Sequence, residues 1–221
     1  MTCSHRWDTT ALHIAPNVTF LGAEGASLRV GGTLFVGACA WWDFQFAAPE
    51  CDPDACRERF KDVALAEAWF VGNSEDGDFD QAVLKAAHRD YSRLADAIIA
   101  AQSDDSVAQI VVATHTVPHR SLLQKGIYPK NLADAAYYGS SLMERIPALD
   151  SRRKIALWVF GHSHAGGNLR IGHILYRGHP RGRPDDYGRA IYSPVVITVG
   201  DDDAAPATAV ESDAAPAVAM T

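Results

Sequence analysis

The chain has 221 residues, 48% of them hydrophobic and 21% charged. That is the composition of one globular domain and excludes a collagen, a coiled coil or wholesale disorder. No stretch approaches the roughly 18 consecutive apolar residues of a membrane span, and the opening Met1-Thr-Cys-Ser-His-Arg-Trp-Asp8 has no signal-peptide core, so a soluble, cytoplasmic protein is expected. Of the formal net charge of −7, five charges sit in residues 201–221 as Asp201, Asp202, Asp203, Glu211 and Asp213, which leaves −2 elsewhere. A nearly neutral body has no general attraction for nucleic acid or an anionic membrane, so any phosphate chemistry must be local.

Residues 17–21 (Asn-Val-Thr-Phe-Leu), 27–30 (Ser-Leu-Arg-Val) and 33–36 (Thr-Leu-Phe-Val) read as a β-meander turning on Gly31 and Gly32. Residues 41–79 form an irregular excursion with at most a short helix over residues 63–70. Within it, Cys51-Asp-Pro-Asp-Ala-Cys56 reads as a surface loop with two thiols, because no second Cys/His pair at zinc-finger spacing follows. Four cysteines (Cys3, Cys39, Cys51 and Cys56) are too few to staple the chain, and free thiols are expected.

From Phe79 to Ala101 the residues Leu84, Ala87, Tyr91, Leu94 and Ile98 recur at steps of three and four, the stripe of an amphipathic helix, which places His88 at the edge of a core. It feeds a buried strand at residues 109–113 (Gln-Ile-Val-Val-Ala). A helix between Leu132 and Leu149 then feeds a second strand at residues 155–160 (Ile-Ala-Leu-Trp-Val-Phe), with Trp158 in the core. This alternation is an α/β signature. Strands at residues 167–171, 173–177 and 194–199 would close the sheet antiparallel, while the Ala/Pro/acid tail from Asp201 is expected to be disordered.

Each of the two buried strands ends in histidine: His115 in Val111-Val-Ala-Thr-His115, and His162 and His164 in Phe160-Gly-His-Ser-His164. Ligands in open α/β sheets bind at such strand ends, and two imidazoles one residue apart on a glycine turn suit a transition-metal site. A basic block, Gly178-His-Pro-Arg-Gly-Arg-Pro184, offers Arg181 and neighbouring arginines for an anion. His119 and Arg120 are candidates for contact with a phosphate or leaving group, and Asp43 is a candidate near the site.

Taken together, Thr114-His-Thr-Val-Pro118, Tyr138-Gly-Ser-Ser-Leu142, Phe160-Gly-His-Ser-His164 and His179-Pro-Arg-Gly182 resemble the C-terminal half of the calcineurin-like metallophosphoesterases, and Trp41-Trp-Asp-Phe44 is similar to that family too. The resemblance spans residues 5–200. It implies an α/β fold, a four-layer αββα sandwich over residues 1–200, with two divalent metals (Mn, Fe, Zn or Ni) at the strand ends. His115 and His162 would match ligands of one metal and His164 a ligand of the other. It further implies hydrolysis of a small phosphate mono- or diester by a metal-bridged hydroxide.

The family's Asp-Xaa-His, Gly-Asp and Gly-Asn-His motifs, which supply the bridging aspartate, the remaining ligands and the acid histidine, do not occur in this sequence. The pattern therefore reads as a domain without its N-terminal strands and with reduced metal occupancy. A misplaced start, a fragment and a degenerate homologue all fit it. The alternative is a non-catalytic remnant of the fold that binds a metal or a protein.

Overall fold

The computed structural model describes residues 18–22, 27–66, 79–125, 132–164, 166–182 and 192–199. The acidic tail from Asp201, Asn17 and residues 67–70 of the expected short helix lie outside them.

The described elements make a mixed α/β structure with one six-stranded sheet, ordered β1-β2-β3-β4-β6-β5. Strands β1 (Ser27–Val30) and β2 (Thr33–Ala38) form an antiparallel hairpin. Its turn needs a left-handed residue, and Gly31 takes φ 57° there. Strands β3 (Gln109–Thr114), β4 (Ile155–Phe160) and β6 (Ile174–Gly178) then run parallel to β2, while β5 (Gly167–Ile171) is an antiparallel edge on β6. The two most apolar strands, β3 and β4, lie at the centre with Ile110, Val112, Ile155 and Trp158 fully buried. A continuous apolar run is what a strand flanked by parallel neighbours requires.

Helix α2 (Phe79–Ser103) packs on β2 and on residues 143–149, and its Val83, Ala87, Leu94, Ile98 and Ala101 are all buried, with Leu84 and Tyr91 at the margin of the stripe. His88 is exposed, away from this face. Asp90 lies on the buried face, where Oδ2 accepts the Ala40 N–H at 2.9 Å. Burial holds its carboxyl above the usual carboxylate range. At the C-terminus of α2, the buried Lys154 ammonium donates to the carbonyls of Ala101 (2.6 Å) and Asp104 (2.8 Å), satisfying acceptors that a helix end leaves open. Helix α1 (Pro53–Ala66) carries Phe60 into a cluster with Phe44, Trp42 and Tyr137, and its Arg57 pairs with the buried Asp80 of α2.

Several expectations change. Of the strand expected at residues 17–21, the described residues 18–21 keep a single bridging residue, Val18, because Val18, Thr19 and Phe20 are all exposed and their alternation has no face to bury. The helix of residues 132–149 is two 3₁₀ segments, Leu132–Tyr137 and Met143–Leu149. The break falls at Gly139, where a Cβ would stand 2.2 Å from the Val117 carbonyl oxygen, and Pro147 removes a donor from the second segment. The short helix begins earlier, at Pro53, so Cys56 sits in its first turn rather than in a loop. Residues 194–199 form no strand, and Val196 is 93% exposed. Only β5 closes the sheet antiparallel, since β6 is parallel to β4. The described strands make one sheet, and the second sheet of the expected sandwich is not among them. No described helix is long and apolar enough to cross a membrane.

Candidate functional site

Parallel strands side by side bring their carboxyl ends to one edge, and three of those ends are cross-linked here. At the end of β3, the Thr116 N–H bonds the Cys39 carbonyl just past β2 at 3.3 Å, and the Thr116 hydroxyl bonds the Ala40 carbonyl at 2.5 Å. The Thr114 hydroxyl donates to the Thr116 carbonyl (2.9 Å) and accepts the indole N–H of Trp158 on β4 (3.0 Å). Between β3 and β4 the Gly161 N–H bonds the His115 carbonyl at 3.0 Å. These bonds fix the backbone from which both histidines project.

His162 is the centre of a three-residue turn closed by the Ser163 N–H on the Gly161 carbonyl at 2.7 Å, with φ 63°. A side chain in this left-handed region costs roughly 1–2 kcal/mol, and such strain collects at functional turns. Its ring lies against Trp42 (centroids 5.8 Å), Tyr138 (5.5 Å) and His115 (5.0 Å). His162 Nδ1 stands 3.2 Å from His115 Nε2. Burial pushes the pKa of His115 below the ordinary imidazole value, so the ring is neutral at pH 7 and offers a lone pair. Two nitrogens bound to one zinc at about 2.0–2.1 Å in tetrahedral positions stand roughly 3.3–3.4 Å apart, so the pair has the spacing of two ligands on one ion.

The turn strain gives a direct expectation. His162→Gly should be more stable than His162→Ala by about 1 kcal/mol, because both lose the ring but only glycine is relaxed at φ 63°. Urea unfolding of the two variants checks this, and equal midpoints would show that the turn is unstrained.

The other candidates are placed differently. His164 is exposed at the end of the same turn. Among the described residues no group of three or more His, Cys, Asp or Glu side chains is arranged to hold a metal ion. Asp43 is buried, and its carboxylate accepts the Gln45 N–H (3.1 Å), the Ser141 N–H (3.1 Å) and the Ser141 hydroxyl (2.5 Å). It ties the loop after β2 to the turn after Tyr138. His119 accepts the Ser121 N–H on Nδ1 at 3.1 Å, and burial lowers its pKa as well. The Arg120 guanidinium is taken up by Glu144 (3.0 and 3.1 Å) and by the Ala48 carbonyl (2.6 Å). Arg181 is exposed after β6, and Nε2 of His179 in the same block bonds the Ser193 carbonyl at 2.7 Å. Arg183 lies outside the described residues.

The residues that sequence reasoning missed are the aromatic walls, Trp42 and Tyr138. Both belong to motifs singled out for their resemblance, but nothing in local pattern assigns either to the ring of His162.

No protein-family model matches the chain, and no curated protein matches it significantly. Among solved structures it is similar to the crystal structure of the phosphopantetheinyl hydrolase (PptH) from Mycobacterium tuberculosis, with 14% identity and a TM-score of 0.49. The match covers 76% of this chain and 56% of that one, so the chain spans little more than half the length of that protein.

Proposed function

We propose that this chain carries part of the active site of a metal-dependent hydrolase of phosphate mono- or diesters, with His115 and His162 as ligands of one divalent ion. The observation behind this is the 3.2 Å separation of His162 Nδ1 and His115 Nε2 at the ends of adjacent parallel strands. The phosphoester substrate class comes from the motif resemblance around these two histidines. The residues present fit two positions on one ion, but they do not fit a two-ion cage, since no carboxylate joins the pair among the described residues. His164 would be a ligand only if further donors were supplied around it.

A divalent ion held by His115 and His162 would supply Lewis-acid charge for the phosphoryl group and a nucleophile near neutral pH. The chain's own residues prepare that position. Neutral His115 presents Nε2, and the Gly161–Ser163 bond aims Nδ1 of His162 at the same point. Trp42 and Tyr138 wall the His162 ring and restrict water on that side. Asp43 holds the loop that carries Trp42.

The incomplete ligand set also favours a second reading, a non-catalytic remnant that keeps the fold and a single metal or protein site. Hydrolysis of an aryl phosphodiester with Mn²⁺ separates the two. We expect a rate barely above background for the chain alone, rising by orders of magnitude when a segment with the family's Asp-Xaa-His, Gly-Asp and Gly-Asn-His motifs is fused before it, and lost again on His162→Ala. A fused protein that folds, binds metal and stays inactive would leave the remnant reading standing.

A further inference from the structure

A second cluster of reactive side chains lies away from the histidines, at the start of α1. Cys51 precedes the helix and Cys56 lies in its first turn, and the Cys56 thiol donates to Cys51 Sγ at 3.1 Å. That is only about 1 Å longer than the 2.03–2.05 Å bond of a disulfide. Both backbones are held by short-range bonds, Cys51 N–H to the Ala47 carbonyl and Cys56 N–H to the Asp52 carbonyl, each 3.0 Å. Both sulfurs are free thiols. Their surroundings differ, since Cys56 is completely buried and Cys51 is only partly buried.

We propose that Cys51 and Cys56 form a reversible thiol–disulfide site, in which Cys51 takes up a small-molecule disulfide such as oxidised glutathione and Cys56 resolves the adduct. The Cys51 thiolate attacks one sulfur of the small disulfide and releases one equivalent of thiol. Cys56 then attacks Cys51 Sγ, and its proton passes to the thiolate expelled from Cys51, which leaves as the second equivalent of thiol. Two protein thiols are oxidised to one disulfide while one small disulfide is reduced to two thiols, so atoms and electrons balance. Burial pushes the Cys56 thiol up to about 12, which keeps it unreactive toward solutes and leaves it to react with a sulfur already attached next to it.

The position gives the bond a consequence. It would tie the segment after β2 to α1, whose Phe60 packs on Trp42 (5.4 Å) and Phe44 (5.3 Å), and Trp42 in turn lies on His162 (5.8 Å). The site itself is independent of the proposed hydrolase activity.

The test uses the full chain, reduced, freed of reductant and equilibrated with graded ratios of oxidised to reduced glutathione, then acid-quenched, alkylated and mapped by mass spectrometry. The expected result is paired loss of the Cys51 and Cys56 thiols with a mass loss of two hydrogens, reversed by dithiothreitol. Cys51→Ser should leave Cys56 unmodified, and Cys56→Ser should keep glutathione on Cys51. Since the buried Cys56→Ser change can prevent folding, the Cys51→Ser chain and the unmutated chain decide the matter without it. A lasting glutathione adduct on Cys51 of the unmutated chain, a bond that takes in Cys39, or intact thiols at the most oxidising ratio would overturn the proposal.

Discussion

Replacing His115 by alanine is expected to weaken Zn²⁺ binding at least about 100-fold, and His162→Ala should do the same. Removing a mere outer-shell partner of a metal ligand already costs about 10–100-fold in affinity, and here one of two convergent imidazoles is lost outright. Calorimetric titration, or competition with a chromophoric chelator, checks both variants against the unmutated chain. His119→Ala is the control, because Nδ1 of that ring is occupied by the Ser121 N–H and it serves a local turn. Its affinity should stay close to that of the unmutated chain. Should His115→Ala bind zinc as tightly as before, the 3.2 Å contact with His162 would be an ordinary hydrogen bond between imidazoles and the metal reading would fail. A double variant adds a further check, since two ligands of one ion should show strong non-additivity once the first has been removed.

What was legible in the sequence was what periodicity encodes. The stripe of α2 and the apolar runs of β3 and β4 bury one face or both, so their pattern and their structure coincide. The strand-end positions of His115 and His162 follow from the same runs. What was not legible depends on contacts across the chain. Residues 17–21 and 194–199 have the β-branched content of strands, but residues 194–199 are not in a strand, and of the described residues 18–21 only Val18 forms a bridge. The segment of residues 132–149 has enough apolar residues for one helix, yet Gly139 must approach Val117 so closely that the helix cannot pass through it.

The site shows the same division. Residue type and strand-end placement single out the histidines, whereas the fate of Asp43 and Arg120 is set by distant partners. An aspartate after a strand is as good a ligand as it is a strut until Ser141 is seen to occupy both of its oxygens. Arg120 looks like an anion binder until Glu144 and the Ala48 carbonyl are found around it. Nor does spacing show that β4 carries a bulge. Ile110 pairs with Ile155, but Val111 pairs with Leu157, so Ala156 is an extra residue on β4. That offset advances the rest of β4 by one position and places Gly161, rather than Phe160, on the His115 carbonyl.

Asp150 anchors the start of that bulged strand, and Asp150→Ala is expected to destabilise the protein by about 3–5 kcal/mol. Asp150 is 4% exposed; Oδ1 accepts the Lys154 N–H at 2.8 Å, and Oδ2 accepts the Ile155 N–H and bonds His173 Nε2, both at 2.8 Å. Alanine would leave the backbone N–H groups of Lys154 and Ile155, at the entry to β4, without an acceptor, and each such loss in a buried place costs about 1–3 kcal/mol. With total stabilities of about 5–15 kcal/mol, this is a large share. Asp150→Asn should fall between, since one amide oxygen can serve one donor while the NH₂ group faces the other. His173→Ala should cost less than about 1 kcal/mol, because the ring is partly exposed and both backbone bonds survive. Urea unfolding checks the series, with a lower midpoint and an unchanged slope as the expected outcome for a loss confined to the native state. A midpoint for Asp150→Ala no lower than that for His173→Ala would show that water reaches the start of β4 and replaces the carboxylate. The same variant should exchange the Gly161 amide faster than the unmutated chain, because the register that holds it on His115 is set at the end of β4 that Asp150 fixes.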